Sequence, residues 1–561
     1  MTALQLNFNF KKNIWAAPIE YKDLREAKEI AIDLETRDEG INSGRGAGWA
    51  TKKGEIIGFA VATEGWEGYY PFGHFGGGNL IKEQVLNYMH DVCKLPCTKI
   101  FHNAQYDVGW LQAYGIDVKG PIVDTMIAGA LIDENRYTYK LNALAKDYLG
   151  ELKAETDLKE AAKAHGVDPK GEMWMLPAEH VGYYAEQDAR LTYLLWQRFK
   201  HEIASQSLET IWDLESKLLP ILIKMRMKGI RVDTEKASIL QKDFSSKEKT
   251  ILLKIKKLIG KDIDIWNARQ IGFAFDKLDI EYPKTVKTQE PSFTQNWLSN
   301  NPHEISKLIV QAREVNKFHN TFLNSIMKFA HKGRIHAEIN QLRSDSGGTV
   351  SGRLSIFLPE EGCKWGSFDY SQQEPRLVVH YAASIGEGYQ GSQELVEAYA
   401  NADADFHQTV ADICGIERKQ AKTIGLGLMY GMGKNKLANM LGLEFIEAKN
   451  MWQPRDFGIY NPETFENASA KYGSHNIKRA FTYKALNRLI QGSAADQTKQ
   501  AVVSCHELGF TPLLQIHDEL CFNIENQEQV DKIVREMEGC VELKVPSVVD
   551  IALGKDFGEA T

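Results

Sequence analysis

Two short acidic runs, far apart in the chain, carry residue types that suit phosphoryl-transfer chemistry. They are residues 367–374 (SFDYSQQE) and 515–519 (QIHDE). Each places a carboxylate inside an apolar, strand-like run, where an unpaired charge is costly to bury. Carboxylates brought together by the fold can hold two divalent cations about 3.5–4 Å apart, which clamp the attacking and leaving oxygens of a phosphoryl transfer. Taken alone, either run also fits a structural acidic residue at a strand end.

A stripe of residues at helical spacing lies between these runs. Arg418, Lys422, Leu426 and Tyr430 recur every four residues, which places them on one slowly winding face of a helix. Two cations on that face suit a triphosphate, and an aromatic ring at its end can stack on a base. On its own the pattern is also typical of an amphipathic surface helix. Flanked by the two carboxylate runs, it indicates an active site for nucleotidyl transfer.

A second set of chemistry-bearing residues occurs as three pairs in the first 200 residues. Residues two apart on a strand, or four apart on a helix, lie on one face. The pairs with these spacings are Asp33 and Glu35, Asn103 and Asp107, and Tyr184 and Asp188. Each pair alone is equally typical of a cap or a surface pair. Together they supply four carboxylates, a phenol and an amide.

Length and composition predict a protein of three or four domains. The chain has 561 residues, 43% of them hydrophobic and 25% charged, as in ordinary globular proteins. We expect no membrane segment, because no apolar run reaches 18 residues. Seven scattered cysteines fit a reducing cytoplasm, and no second pair follows Cys93 and Cys97 at zinc-ligand spacing. The net charge of −8 does not exclude nucleic acid, because binding depends on where the cations lie.

Periodicity places these residues on elements of two kinds. Strands are predicted at 28–35, 55–62 and 99–102, followed by helices from about 122 to 200. A helical run at 205–228 ends at Gly229, a plausible C-cap. Further predictions are Lys-rich amphipathic helices over 234–330 and strands at 365–370 and 511–523. We therefore place a domain boundary near residue 200.

Residues 25–200 resemble the DnaQ-like 3′–5′ exonucleases in the order and local sequence of the three pairs. The resemblance implies that the four carboxylates hold two Mg²⁺ ions. Tyr184 would then help to orient the attacking water, and Asp124 would be a supporting acid outside the ligand set. Because no acidic motif position is lost, we expect an active nuclease.

The chain as a whole resembles the family A, DNA polymerase I-like enzymes of the compact phage type. The motifs that carry this are DYSQQEPR, RKQAKTIGLGLMYG and QIHDEL. The implied fold is multidomain α/β, with an RNase H-like exonuclease domain followed by a right hand. The expected bounds are 1–200 for the exonuclease domain, 201–561 for the polymerase domain, about 230–345 for the thumb, about 346–400 and 480–561 for the palm, and about 401–479 for the fingers.

The resemblance also implies roles for individual polymerase residues. Asp369 and Asp518 would ligate both catalytic metals with the backbone carbonyl of Tyr370, and Glu519 would be an auxiliary acid. Lys422 would also serve as the general acid for pyrophosphate. The residues implied to contact the nucleotide are Arg418, Lys422, Leu426, Tyr430, Glu374, His407 and Gln373, and those implied to contact DNA are Arg353, Asn487, Gln491 and His517.

The identity of Glu374 bears on the choice of sugar. This position matches the residue that fills the space beneath the sugar in the family, and a filled pocket rejects a 2′-hydroxyl. We therefore expect DNA synthesis from dNTPs. Mg²⁺ is expected at two ions per active site, with Mn²⁺ as a substitute.

Two features depart from the family pattern. Leu426 stands where many relatives carry phenylalanine or tyrosine, which puts nucleotide affinity and dideoxynucleotide acceptance in question. The joins after Ser355 and near Asn450 are shorter than expected. They are either deletions in a minimal enzyme or segments missing from the sequence, and we favour missing segments.

The sequence thus indicates a replicative DNA polymerase with proofreading, encoded by a bacteriophage and acting as a monomer in a bacterial cytoplasm. Its expected partners are primer–template DNA, dNTPs and a single-stranded 3′ end, and no processivity factor is identified. Three alternatives stay open: a nuclease whose second half only clamps DNA, a non-catalytic primer–template binding module, and a single-subunit RNA polymerase. The carboxylates and cations at both sites disfavour the first two, and Glu374 and the attached nuclease disfavour the third.

Overall fold

A computed structural model describes most of the chain. The residues it describes are 15–153, 155–285, 287–342, 356–384, 392–400, 405, 407–408, 411–412, 415–429 and 483–560. They divide into two compact units, residues 1–365 with 553–561 and residues 366–552. In this part of the chain, none of the helices combines the length and apolarity that crossing a bilayer requires.

The first unit contains two sheets and thirteen α-helices among the described residues. Its strands are β1 (Glu29–Arg37), β2 (Glu55–Thr63), β3 (Trp66–Pro71), β4 (Thr98–Phe101), β5 (Ile122–Asp124), β6 (Ile230–Val232), β7 (Arg334–Ile335) and β8 (Phe357–Leu358). Its helices are α1 (Glu39–Asn42), α2 (Lys82–Lys94), α3 (Ala104–Ala113), α4 (Thr125–Ile132), α5 (Leu141–Leu149), α6 (Thr156–His165), α7 (Ala178–Ser205), α8 (Glu209–Lys228), α9 (Thr234–Ile259), α10 (Ala268–Lys277), α11 (Gln295–Asn300), α12 (Glu304–Asn316) and α13 (Asn324–Phe329).

The larger sheet of this unit has the strand order β3-β2-β1-β4-β5. β1, β2 and β3 pair antiparallel, whereas β1, β4 and β5 pair parallel. Helices cover both faces, so even-numbered β1 residues such as Ile32 and Leu34 enter one core and Ala31 enters the other. Asp33 and Glu35 alternate with Ile32 and Leu34, and therefore lie on the face that α7 covers.

The helices after β5 agree with the sequence prediction in kind. Helix α8 ends at Lys228. The next residue, Gly229, has a positive φ of 66°, in agreement with its prediction as the C-cap. The amphipathic pattern over 234–330 forms α9 to α13, where α9, α10 and α12 enclose a core that includes Ile255, Phe275 and Ile309. The Lys-rich pattern is therefore that of amphipathic helices with their own core.

The second unit is built on a four-stranded sheet of order β10-β11-β9-β12. Its strands are β9 (Lys364–Tyr370), β10 (Leu514–Ile516), β11 (Glu519–Ile524) and β12 (Val549–Gly554). Its described α-helices are α14 (Gln373–Ser384), α15 (Ser392–Ala400), α16 (Arg418–Met429), α17 (Tyr483–Glu507) and α18 (Gln527–Gly539).

The structure corrects one local prediction. The run 511–523 was predicted as strand with a carboxylate inside it, but Asp518 and His517 form the turn of the β10–β11 hairpin. His517 adopts a positive φ of 55°, which a tight turn requires and a strand does not allow. The Asp518 carboxylate therefore lies at the tip of a hairpin, where charge is less costly than within the sheet.

Candidate active sites

The strand β1 contributes two carboxylates to the first candidate site. Asp33 and Glu35 lie on one face, and their register partners on β2 are the small residues Ala60 and Gly58. A Cβ atom on Gly58 would lie 2.0 Å from the Tyr69 hydroxyl oxygen. Small partners therefore leave room for the acidic side chains and for the ring of Tyr69.

The helix α3 brings Asp107 to the same place. The backbone N–H of Leu34 donates to Oδ1 of Asp107 at 3.0 Å. The start of α3 is held by Asp124, whose oxygens accept from the N–H groups of Asn103 (3.0 Å) and Ala104 (2.8 Å). Asp124 thus holds the start of the helix that carries Asp107.

The helix α7 contributes the third pair, Tyr184 and Asp188, one turn apart. Lys153 forms an ion pair with Asp188, and its ammonium nitrogen lies 3.3 Å from the Tyr184 hydroxyl oxygen. Lys153 belongs to none of the motifs and follows no metal-ligand or helical spacing. It stands 31 residues before Tyr184, with three other lysines between them, so no local signal in the sequence marks it.

Electrostatics show that these carboxylates share a small volume. Burial, together with the neighbouring Asp188, raises the pKa of Asp33 to about 7. Burial and nearby acids raise the pKa values of Glu35 and Asp107 well above the ordinary range, and burial raises the pKa of Asp188. Like charges this close favour either protons or a bound cation.

The donor set fits divalent metal ions in its chemistry. All candidate ligands are carboxylate oxygens, which Mg²⁺ prefers. Oδ1 of Asp188 is buried and accepts no hydrogen bond from the described residues. Within those residues, no three Asp, Glu, His or Cys side chains are already arranged to hold a metal. The four carboxylates come from β1, α3 and α7, and all of them are neighbours within the first unit.

The second candidate site lies where β9 ends beside the β10–β11 turn. The backbone N–H of Tyr370 donates to the carbonyl oxygen of Asp518 at 3.4 Å. This contact joins the strand that carries Asp369 to the turn that carries Asp518. Glu519 is buried at the start of β11, and the Tyr370 hydroxyl donates to the Met537 carbonyl at 2.5 Å. The two acidic runs, whose Asp369 and Asp518 are 149 positions apart in the sequence, therefore meet in space, as the sequence predicts.

Two of the residues predicted to bind nucleotide, Arg418 and His407, contact an acid that belongs to none of the predicted motifs. Asp405 accepts from the backbone N–H of His407 at 2.9 Å and pairs with Nε of Arg418 at 2.5 Å. Burial lowers the pKa of His407, with further lowering by Lys422 and Arg418. Asp405 therefore joins His407 to Arg418, and Arg418 and Lys422 are both exposed at the start of α16.

The structure places Gln373 in the interior of its unit. Its side-chain nitrogen donates to the Ala494 carbonyl (3.2 Å), Gln497 Oε1 (3.1 Å) and Thr498 Oγ1 (3.1 Å), all on α17. Glu374 follows it in the first turn of α14 and is partly exposed. The amide of Gln373 therefore joins α14 to α17.

The residues predicted to contact DNA are described in part. Asn487 and Gln491 lie one turn apart on α17, with Gln491 exposed, and His517 is exposed in the β10–β11 turn. The backbone of Leu426 lies in α16, and its side chain is outside the description. Arg353 and Tyr430 lie outside the described residues.

Comparisons with known protein families match both parts of the chain. The model for a 3′–5′ exonuclease matches residues 19–204, and the model for DNA polymerase family A matches residues 234–454 and 465–559. The break in the second match adjoins the short join near Asn450.

Curated relatives match over nearly the whole chain. A DNA-directed DNA polymerase of Pseudomonas phage M6 is 35% identical over 628 aligned residues, covering 95% of this chain and 94% of the relative. DNA polymerase DpoZ of Acinetobacter phage SH-Ab 15497 is 29% identical and covers 80% and 86%. DNA polymerase I of Pseudomonas aeruginosa is 27% identical and covers 96% and 64%.

A solved structure has the same fold. It is described as the POL domain of Pol1 from M. smegmatis in complex with DNA primer-template and dNTP. The TM-score is 0.73 at 21% sequence identity, and the match covers 96% of this chain and 97% of the other. At this identity the likeness concerns the fold alone.

Proposed function

This chain belongs to DNA polymerase family A and is a DNA-directed DNA polymerase with a 3′–5′ exonuclease domain, and we propose that two separate sets of carboxylates carry the two reactions. One set consists of Asp369 and Asp518 with Glu519 beside them. The other consists of Asp33, Glu35, Asp107 and Asp188. The observation that carries this assignment is that a hydrogen bond from a backbone N–H joins distant parts of the sequence in each set, from Leu34 to Asp107 in one and from Tyr370 to Asp518 in the other.

In the polymerase site, Asp369, Asp518 and the carbonyl oxygen of Tyr370 would hold the divalent cations. Such cations, when bound, activate the primer 3′-hydroxyl and support the leaving pyrophosphate. The contact between Tyr370 N–H and the Asp518 carbonyl fixes the end of β9 against the hairpin turn. Glu519 is buried next to that turn and serves as an auxiliary acid.

The triphosphate of the incoming nucleotide would meet the cations of α16. Arg418 and Lys422 are exposed on one face of that helix, and His407 lies beside them. Arg418 is held by Asp405 until a more highly charged group competes for it. Lys422 is also placed to give a proton to the leaving pyrophosphate. Leu426 and Tyr430, at the same four-residue spacing in the sequence, would contact the sugar and base.

Sugar selection would fall to Glu374, which lies in the first turn of α14 directly after Gln373. Gln373 supports nucleotide binding by tying this helix start to α17. Asn487 and Gln491 on α17 would read the minor groove of the new base pair, and Arg353 and His517 would contact the primer. The contact of Gln373 with α17 would therefore support recognition of both the sugar and the base pair.

The nuclease site would act on a single-stranded 3′ end. Its four carboxylates would hold the cations, which when bound activate water and stabilise charge on the phosphate. Tyr184 lies one turn from Asp188 and would orient the attacking water. A mismatched primer end frays more readily than a paired one, so that transfer to this site favours removal of errors.

The metal ions, the oligomeric state, the domain bounds and the cellular location are part of the same proposal. Both sites would use two Mg²⁺ ions, with Mn²⁺ as a substitute, and the protein would act as a monomer on primer–template DNA with dNTPs. The assigned bounds remain 1–200 for the nuclease domain and 201–561 for the polymerase domain. The phage relatives favour replication of a phage genome in a bacterial cytoplasm.

The experiment that tests this function is extension of a labelled primer on a longer template with Mg²⁺. Parallel reactions contain all four dNTPs, all four ribonucleotides, or no nucleotide. We expect elongation with dNTPs only and shortening when nucleotides are omitted. Shortening in every reaction would contradict the polymerase assignment and favour a nuclease whose second half only binds DNA.

A further inference from the structure

Lys153 lies among the nuclease carboxylates, although none of the motifs includes it. Its side chain is 9% exposed and pairs with Asp188. The ammonium nitrogen also lies 3.3 Å from the Tyr184 hydroxyl oxygen and 4.7 Å from the centre of that ring. It therefore contacts both residues that α7 contributes to the site.

The loop that carries Lys153 is fixed to α7 at several points. Glu151 forms an ion pair with Arg190, and the Leu152 carbonyl accepts from Nε2 of Gln187 at 3.2 Å. The backbone N–H of Lys153 donates to Oδ1 of Asn142 on α5 at 3.2 Å. Because the backbone is anchored before and at Lys153, its side chain enters the site at small entropic cost.

Lys153 places a positive charge beside the buried acidic side chains of the nuclease site. Its ammonium counteracts the effect of burial on the pKa values of Asp33, Glu35 and Asp188. One oxygen of Asp188 binds Lys153, whereas Oδ1 is buried and accepts no hydrogen bond from the described residues.

We propose that Lys153 is a positioning residue of the nuclease: its ammonium holds Asp188 and Tyr184 in place in the metal-free site and competes with the divalent cation for Asp188. This inference rests on the assignment of the carboxylates under the proposed function. A positive charge next to a ligand oxygen opposes the binding of a second cation there. Lys153 therefore raises the metal-ion concentration at which the nuclease site is filled.

The test measures metal binding directly, without DNA. In an Asp369→Asn, Asp518→Asn background, which removes the proposed ligands of the polymerase site, Mn²⁺ is titrated and the free ion is followed by EPR. Lys153→Met should tighten Mn²⁺ binding by at least about threefold, because a repelling charge is gone. Lys153→Arg keeps the charge and should stay within about twofold of the background protein.

Two controls separate the role of Lys153 from the site itself. Lys159→Met removes a lysine that pairs with Glu155 on the surface, and should leave Mn²⁺ affinity unchanged. Asp33→Asn with Glu35→Gln should abolish the Mn²⁺ binding. Binding that survives this double change would overturn the site and the role of Lys153 with it. Unchanged or weaker binding in Lys153→Met would overturn only the role of Lys153.

A measurement on the unsubstituted protein covers the case in which Lys153→Met fails to fold. Reductive methylation followed by mass spectrometry reports the accessibility of each lysine. Mn²⁺ should increase labelling of Lys153, because the metal displaces its ammonium from Asp188, and should leave labelling of Lys159 unchanged. Labelling of Lys153 that stays constant or falls on adding Mn²⁺ would overturn the proposal.

Discussion

The backbone N–H of Leu34 donates a 3.0 Å hydrogen bond to Oδ1 of Asp107, a residue 73 positions later in the chain. Leu34 lies between Asp33 and Glu35, and its own side chain enters the core on the opposite face of the sheet. A backbone group of β1 thus fixes the carboxylate that α3 supplies. One backbone contact places the Asp107 carboxylate beside the strand that carries Asp33 and Glu35.

The raised pKa values in this cluster predict a pH-dependent stability of the metal-free protein. Burial and Asp188 raise the pKa of Asp33 to about 7 in the folded chain, against about 4 for an unfolded Asp. The folded state binds the proton of Asp33 more tightly than the unfolded state does. The stability that this proton contributes is therefore fully present below about pH 4 and is lost as the pH rises through about 7. In EDTA, the Tm of the wild type should fall relative to that of Asp33→Asn between pH 5 and pH 8. A constant difference between the two proteins would contradict this.

Replacing Gln373 tests the connection between α14 and α17. Gln373→Leu leaves buried acceptors on α17 without their donor, which typically costs about 1–3 kcal/mol. We expect a lower free energy of unfolding for the second unit, measured by urea denaturation. Gln527→Leu, at an exposed position on α18, is the matched control and should change stability little. Equal losses of stability in the two variants would contradict a specific contribution of Gln373 to the contact between α14 and α17.

Glu374→Ala should relax the choice of sugar. Removing the side chain opens the space beneath the sugar, where a 2′-hydroxyl can then fit. Incorporation of a single ribonucleotide relative to its deoxynucleotide should rise by about tenfold or more, equivalent to about 1.4 kcal/mol of discrimination. Glu397→Ala, exposed on α15, is the control. A ratio that stays at the wild-type value would show that another residue excludes ribose.

Leu426→Tyr tests the departure from the family pattern. A flexible aliphatic side chain packs less rigidly on the nucleotide than an aromatic ring does. The change should tighten dNTP binding and increase dideoxynucleotide incorporation, measured as chain termination at a fixed ratio of dideoxynucleotide to dNTP. Termination at the wild-type level would refute this role of Leu426.

The sequence was informative where local spacing determines which face a side chain occupies. Alternation along β1 places Asp33 and Glu35 together, and one-turn spacing places Tyr184 with Asp188. It could not predict the position of Lys153, because the anchoring of its loop on α7 depends on contacts between residues more than 30 positions apart. Local pattern also misplaced Asp518 in a strand, because an apolar run does not reveal the tight turn at His517.

The interior place of Gln373 has a similar explanation. The resemblance to family A polymerases implied a nucleotide contact for Gln373, whereas the structure turns its amide toward α17. The direction of a side chain at a strand–helix junction depends on the backbone there. Gln372, immediately before it, has a positive φ of 54°, which sequence periodicity does not anticipate.

The most direct test of two separate active sites is the error rate of DNA synthesis in paired variants. The double variant Asp33→Asn, Glu35→Gln should extend primers at the wild-type rate but no longer shorten 3′ ends. Its error rate in a gap-filling assay should be higher than that of the wild type. Asp369→Asn should lose extension and keep shortening of single-stranded DNA. An unchanged error rate in the first variant would contradict proofreading at the Asp33–Glu35 site, and extension that survives Asp369→Asn would contradict the assignment of the polymerase site.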